Sequence, residues 1–152
     1  MATQRITFDN ILVTGSALRD YLHTGLAALK RRDVKLIAVA ERTKAGDSID
    51  LDEATRRQFP ESNRWDYLIS VPSKSYVVAL EPHSAKDSEV SGVIRKKQPA
   101  VAFLYDHLPP RHRVARWLWV SHGPVTFTRM DKAVRLLDQH GIKFVGHMLR
   151  SL

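Results

Sequence analysis

The chain has 152 residues, of which 43% are hydrophobic and 26% charged, with no cysteine and a formal charge of +8. A chain of this size can bury a two-layer core without disulfide or metal staples, and its balance of apolar and charged residues is that of a folded protein. The absence of cysteine excludes disulfide frameworks, thiolate zinc sites and cysteine nucleophiles.

In chain order, Ser16 is placed to cap a helix from Ala17 to about Arg31, with Leu18, Tyr21, Leu22, Gly25, Leu26 and Leu29 at helical spacing. Val34 to Ala40 is a short β-branched apolar run that predicts a buried strand, the alternative being a continuation of the helix before it. Residues 41–64 form a polar excursion within a single domain spanning 1–152, with a short helix expected from Asp52 to Gln58. Asp66 to Val71 and Tyr76 to Leu80 are the clearest strands, and Pro72-Ser73-Lys74-Ser75 between them is hairpin punctuation. Ser84 and Asp87 have capping spacing ahead of a helix ending near Gln98, and Pro99 is expected to open a second helix, Ala100 to Leu108. Val114 to Ser121 predicts a strand, Thr128 with Asp131 caps a helix to His140 that Gly141 stops, and Ile142 to Val145 predicts a final strand. The order argues for an α/β fold, a mixed central β-sheet flanked by helices.

No apolar run approaches the ~20 residues that cross a bilayer, and the N-terminal residues contain no apolar leader core, so a cytoplasmic protein without a membrane partner is expected. The charge is unevenly spread. Residues 1–84 carry 12 Lys/Arg against 11 Asp/Glu, whereas residues 85–152 carry 12 against 5. A field of one sign raises the local concentration of anions, which makes nucleic acid, DNA or RNA, the leading partner. Arg95, Lys96, Lys97, Arg111, Arg113 and Arg116 are the candidate phosphate contacts. Trp117 and Trp119 share one face of a strand and read as core rather than as a stacking platform. No Gly-rich phosphate loop or nucleophile elbow is present, which argues against P-loop and serine-hydrolase chemistry.

A tight turn at Ser73-Lys74 sets opposed residues whose numbers sum to 147, so Asp66 faces Glu81, with His83 beside them on the same face. Like charges directly opposite destabilise a sheet unless a cation, a proton or a Lys/Arg offsets them. A hard cation with oxygen ligands, Mg²⁺ or Mn²⁺, suits such a pair. Each residue also has a structural reading: Asp66 ending a turn, Glu81 pairing with an arginine, His83 capping the next helix.

An Asp at a strand start, a hairpin, a returning strand ending in an acidic residue, then a helix and a strand: this order over Ala17 to Ser121 resembles the PD-(D/E)XK nuclease superfamily. The resemblance implies a restriction-endonuclease-like core and metal-dependent phosphodiester hydrolysis of nucleic acid, with Asp66 and Glu81 as metal ligands. Two positions depart from the motif. Trp65 precedes Asp66 where the name motif has Pro, and His83 stands two residues after Glu81 where the motif has Lys. An imidazole can act as a base or ligand in that place. A lysine can instead reach in from the following segment, where Lys86, Lys96 and Lys97 are available, or the site is decayed. The alternative function is accordingly a non-catalytic nucleic-acid-binding or protein-interaction module on a decayed nuclease-like fold; a homodimer or a protein partner is compatible with the nuclease-like resemblance, since many nucleases that cut both strands act as dimers.

Overall fold

The central hairpin follows the expected register. In a computed structural model that describes residues 5–61 and 63–152, strand β3 (Tyr67–Val71) pairs antiparallel with β4 (Tyr76–Lys86), and Tyr67 faces Leu80 while Ser70 faces Val77. Ser75, at φ 55°, takes the left-handed conformation that lets the chain reverse after Pro72. Apart from Ser70, the stretches Tyr67–Val71 and Tyr76–Leu80 carry apolar side chains on both faces, as strands covered from two sides do.

Around this hairpin lies one six-stranded sheet. The strands β1 (Leu22–Thr24), β2 (Asp47–Asp50), β3, β4, β5 (Val114–Thr126) and β6 (Ile142–Phe144) are adjacent in chain order. The first four form an antiparallel meander, and β4–β5 and β5–β6 are parallel. Parallel neighbours need a crossover, and helices supply both: α5 (Val90–Tyr105) leads from β4 to β5 and α6 (Met130–Gln139) from β5 to β6. The architecture is α/β, a mixed sheet flanked by helices.

Alternation along the strands divides the core in two. Leu68, Val77, Ala79, Trp117 and Trp119 face Val90, Val93 and Leu104 of α5 and Leu137 of α6, so the tryptophan pair is core. Trp65 meets Trp117 edge to face, with ring centroids 4.9 Å apart. On the other face, Tyr67, Ile69, Val78, Leu80 and Leu118 are covered by Leu29, Ile37, Leu149 and Leu152.

Several expected elements differ. Ser16 does cap, accepting from the Leu18 amide, but the turn it opens is a 3-10 turn, Ala17–Tyr21, and the chain then extends into β1. Gly25, at φ +56°, ends any helical path there, and only a one-turn helix α2 (Arg31–Val34) follows. Val34 to Ala40 is not a strand. It contributes a single bridge, Ile37 to Leu149, before the one-turn helix α3 (Val39–Arg42), because its apolar side chains cover the sheet rather than join it.

The polar excursion at 41–64 holds the short helix expected there, as α4 (Leu51–Thr55) capped by Asp50, and also the strand β2, which was not expected. The strand is hidden in sequence because, beside the buried Ile49, its other two buried side chains, Asp47 and Ser48, are polar and internally satisfied. Asp47 accepts from the amides of Phe8 (2.8 Å) and Asp9 (3.1 Å) at α1 (Phe8–Ile11) and from the Ser70 hydroxyl, while Ser48 accepts from the Ala28 amide. Gly46 enters β2 with no room for a side chain, since a Cβ would lie 2.7 Å from Pro72 Cγ and 2.9 Å from Ser70 Oγ. Gly46→Ala should therefore cost about 2 kcal/mol and lower the melting midpoint by about 5 °C, measured by calorimetry. An unchanged midpoint would show that this contact relaxes freely.

Pro99 does not divide the next helix. Strand β4 runs on to Lys86, so Ser84 lies in the sheet and caps nothing, and α5 is continuous through Pro99. Val90 and Val93 before the proline and Ala100 and Leu104 after it are all buried in one core. At about 1.5–3 kcal/mol for each large side chain, that burial exceeds the roughly 3 kcal/mol a helical proline forfeits. At α6, Thr128 does not cap the helix but bonds Asp87, tying β5's exit to the start of α5. Gly141, at φ +69°, ends α6 as expected.

Candidate functional site

Glu81 lies in the interior of β4, opposite Trp119 of β5, with its side chain fully buried. Burying a carboxylate requires partners for both oxygens. Oε1 accepts from the Asp66 amide at 3.1 Å, and Oε2 accepts from Lys96 Nζ at 2.5 Å. The hairpin thus brings Asp66 and Glu81 together as the register requires. The lysine that reaches them comes from α5, one of the three sources open in the sequence. Lys86 does not reach the pair; it ends β4 at an exposed position.

His83 follows on the same face, its Nδ1 3.6 Å from Glu81 Oε2. Its Nε2 lies 2.7 Å from Glu89 Oε2 at the foot of α5, and its backbone carbonyl accepts from Trp119 Nε1. The imidazole is therefore held between two carboxylates. The β4–β5 register shifts between His83 and Ala85, opposite His122-Gly123-Pro124, an irregularity of the kind that re-aims side chains beside functional sites.

Burial pushes the Glu81 carboxyl up from its ordinary range, the neighbouring Asp66 charge pushes it further, and Lys96 opposes both. Asp66 is likewise raised by burial, against the pull of Lys96, with Asp52, Asp33 and Asp50 adding to the rise. The pair therefore carries one negative charge readily and a second at a cost. The hydrogen bond from His83 holds Glu89 below its usual range.

Carboxylates are hard oxygen donors of the kind Mg²⁺ or Mn²⁺ takes; among the described residues Asp66 accepts no hydrogen bond through its carboxylate, whereas both oxygens of Glu81 are bonded within the protein. Among the described residues no group of three His, Cys, Asp or Glu side chains is assembled for a metal. The other candidate cations divide. Lys97 Nζ donates to the His140 carbonyl at 2.6 Å and lies over the Trp117 ring, Arg113 donates to the carbonyls of Leu104, Tyr105 and Leu108 at the end of α5, and Arg116 donates to the Ser151 carbonyl. Arg95 and Arg111 are exposed.

Sequence reasoning overlooked Glu89 as the partner of His83 and the acidic neighbours Asp50 and Asp52. The spacing His83 to Glu89 carries no signal until the end of β4 and the start of α5 are known to meet. No helix of the described residues is long and apolar enough to cross a membrane. No protein-family model matches this chain, and neither a curated protein nor a solved structure matches it.

Proposed function

We propose that this chain is a metal-dependent phosphodiesterase acting on nucleic acid, built on a restriction-endonuclease-like core. The observation that carries the reading is the convergence of Lys96 on Glu81, directly beside Asp66. It answers the departure at His83, because a lysine occupies the reactive pair from the neighbouring helix. The strand order adds support: an antiparallel meander ending in the Glu81 strand, then a helix and a parallel strand.

In this reading Asp66 and Glu81 hold the cation, which supplies Lewis-acid polarisation of a phosphoryl oxygen and an activated water. Lys96 opposes the rise that burial and Asp66 impose on the Glu81 carboxyl, and brings a positive charge to where a phosphate must sit. His83, oriented by Glu89, is within reach to accept a proton. Calorimetric titration with Mn²⁺ tests the assignment. The wild type should bind, Asp66→Ala and Glu81→Ala should not, and cleavage of labelled DNA or RNA should vanish in both variants. Cleavage that survives either substitution sinks the proposal.

One observation favours a second reading, a non-catalytic nucleic-acid-binding module or one docking a protein partner. Both oxygens of Glu81 are already bonded within the protein. That reading expects salt-sensitive binding that needs no metal and persists in Asp66→Ala.

A further inference from the structure

Lys30, Arg31, Arg32 and Lys35 form a compact cationic segment outside the basic C-terminal half. All four side chains are exposed. Among the described residues Lys30, Arg31 and Lys35 make no ion pair, and Arg32 makes only a 3.8 Å approach to its neighbour Asp33. By contrast, Lys96, Lys97, Arg113 and Arg116 are engaged by the protein itself.

The segment is anchored. Asp33 is buried, at 3% exposure, and its Oδ2 accepts from the Tyr67 hydroxyl at 2.6 Å, while that same hydroxyl accepts from the Lys30 amide at 3.3 Å. Both ends of the one-turn helix α2 therefore clasp one phenol. Burial and the Asp33 carboxylate push the Tyr67 hydroxyl well above its ordinary range, so it stays protonated and keeps donating. Asp33 Oδ1 has no hydrogen bond, which leaves Arg32 as the nearest compensation for its buried charge.

Tyr67 is the residue after Asp66, so the clasp sets the cations at the same strand end as the carboxylate pair, on the opposite face of the sheet, from which a bound strand reaches the pair around that end. Lys30 is close enough to Asp50 to favour its ionised form, and the Asp33 charge reaches Asp66. A polyanion approaching two buried carboxylates is repelled unless positive charge lies alongside.

We infer that Lys30, Arg31 and Lys35 bind the nucleic-acid backbone next to the candidate site, gripping phosphates adjoining the one presented to Asp66 and Glu81. This inference rests on the proposed function and names the surface that would hold its substrate. Phosphates are contacted without base readout, so the grip is independent of sequence.

The test is fluorescence anisotropy across a salt series, with a labelled DNA duplex and an RNA strand of equal length, scored on whichever the wild type binds more tightly. The variant Lys30→Ser/Arg31→Ser/Lys35→Ser should weaken low-salt binding tenfold or more. It should also reduce the slope of log affinity against log salt by about 2 to 3, each lost phosphate contact removing about 0.7 to 0.9. The melting midpoint should stay unchanged. The control Lys132→Ser/Arg135→Ser/Lys143→Ser removes the same charge elsewhere and should lower the slope far less. Should the triple variant unfold, Arg31→Gln/Lys35→Gln gives the same reading with a drop of about 1.5 to 2. Wild-type binding with an unchanged slope in the variant, or an equal drop in the control, overturns this inference and leaves the proposed function standing. A wild type that binds neither probe at low salt overturns both.

Discussion

Lys96→Met should destabilise the protein by about 3 kcal/mol at pH 8.5 and by far less at pH 5.5, read as the midpoint of urea unfolding. Among the described residues no other lysine or arginine is paired with Glu81, and removing one member of a buried ion pair leaves the other charge uncompensated. The pH contrast follows from linkage. Lys96 holds both carboxyls down, so its loss raises the pair's folded pKa values further above their unfolded values. A carboxyl with a raised folded pKa contributes stability that is present in full below the unfolded pKa and is lost as pH rises through the folded one. The variant should therefore lose stability between pH 5 and 9 more steeply than the wild type. Adding Glu81→Gln should recover most of the loss, because an amide needs no counter-charge. An equal deficit at both pH values would mean that Lys96 contributes through packing alone.

The wild type itself should become less stable by on the order of 2 kcal/mol between pH 5 and 9, and Mn²⁺ should reverse the decline. Both carboxyls are pushed up, so ionising the second member of the pair works against folding across this window. The carboxylates that are held down, Glu41, Asp52, Asp87, Glu89 and Asp131, have the opposite sign, but their contribution disappears only as pH falls through their lowered folded values, below the window. His107, lowered by burial, also opposes the trend, and Asp50, raised by burial, adds to it. The diagnostic quantity is therefore the difference between wild type and Glu81→Gln, which removes the Glu81 share and leaves the others, that of Asp66 included. A divalent cation at a hundred times its dissociation constant should add about 2.7 kcal/mol at pH 8.5 and nothing in Glu81→Gln. A wild-type profile parallel to that of Glu81→Gln would remove the electrostatic basis of the site.

The hairpin was legible in the sequence because two β-branched runs and a Pro-Ser-Lys-Ser turn fix a register, and register alone brings Asp66 to Glu81. Lys96 was legible only as one of several lysines, since helical phase decides which residue of α5 points inward, and that depends on where β4 stops. Ser84 and Asp87 suggested too early a stop. Strand β2 was hidden because Asp47 and Ser48 are buried through hydrogen bonds to distant amides, a pairing that no local pattern encodes. The Ala17 to Arg31 helix failed for a local reason. Leucine spacing there is compatible with a helix, but the positive φ of Gly25 breaks it, and the leucines instead cap opposite faces of the sheet, Leu18 on one and Leu29 on the other.

The carboxylate of Asp47 joins three parts of the chain: the amides of Phe8 and Asp9, its own strand, and Ser70 in the neighbouring strand. In a protein without cysteine, this buried junction takes the topological place of a disulfide, closing the loop between residue 8 and the sheet. Unlike a disulfide, it is indifferent to oxidants and reductants, so the same cross-link holds in either redox environment.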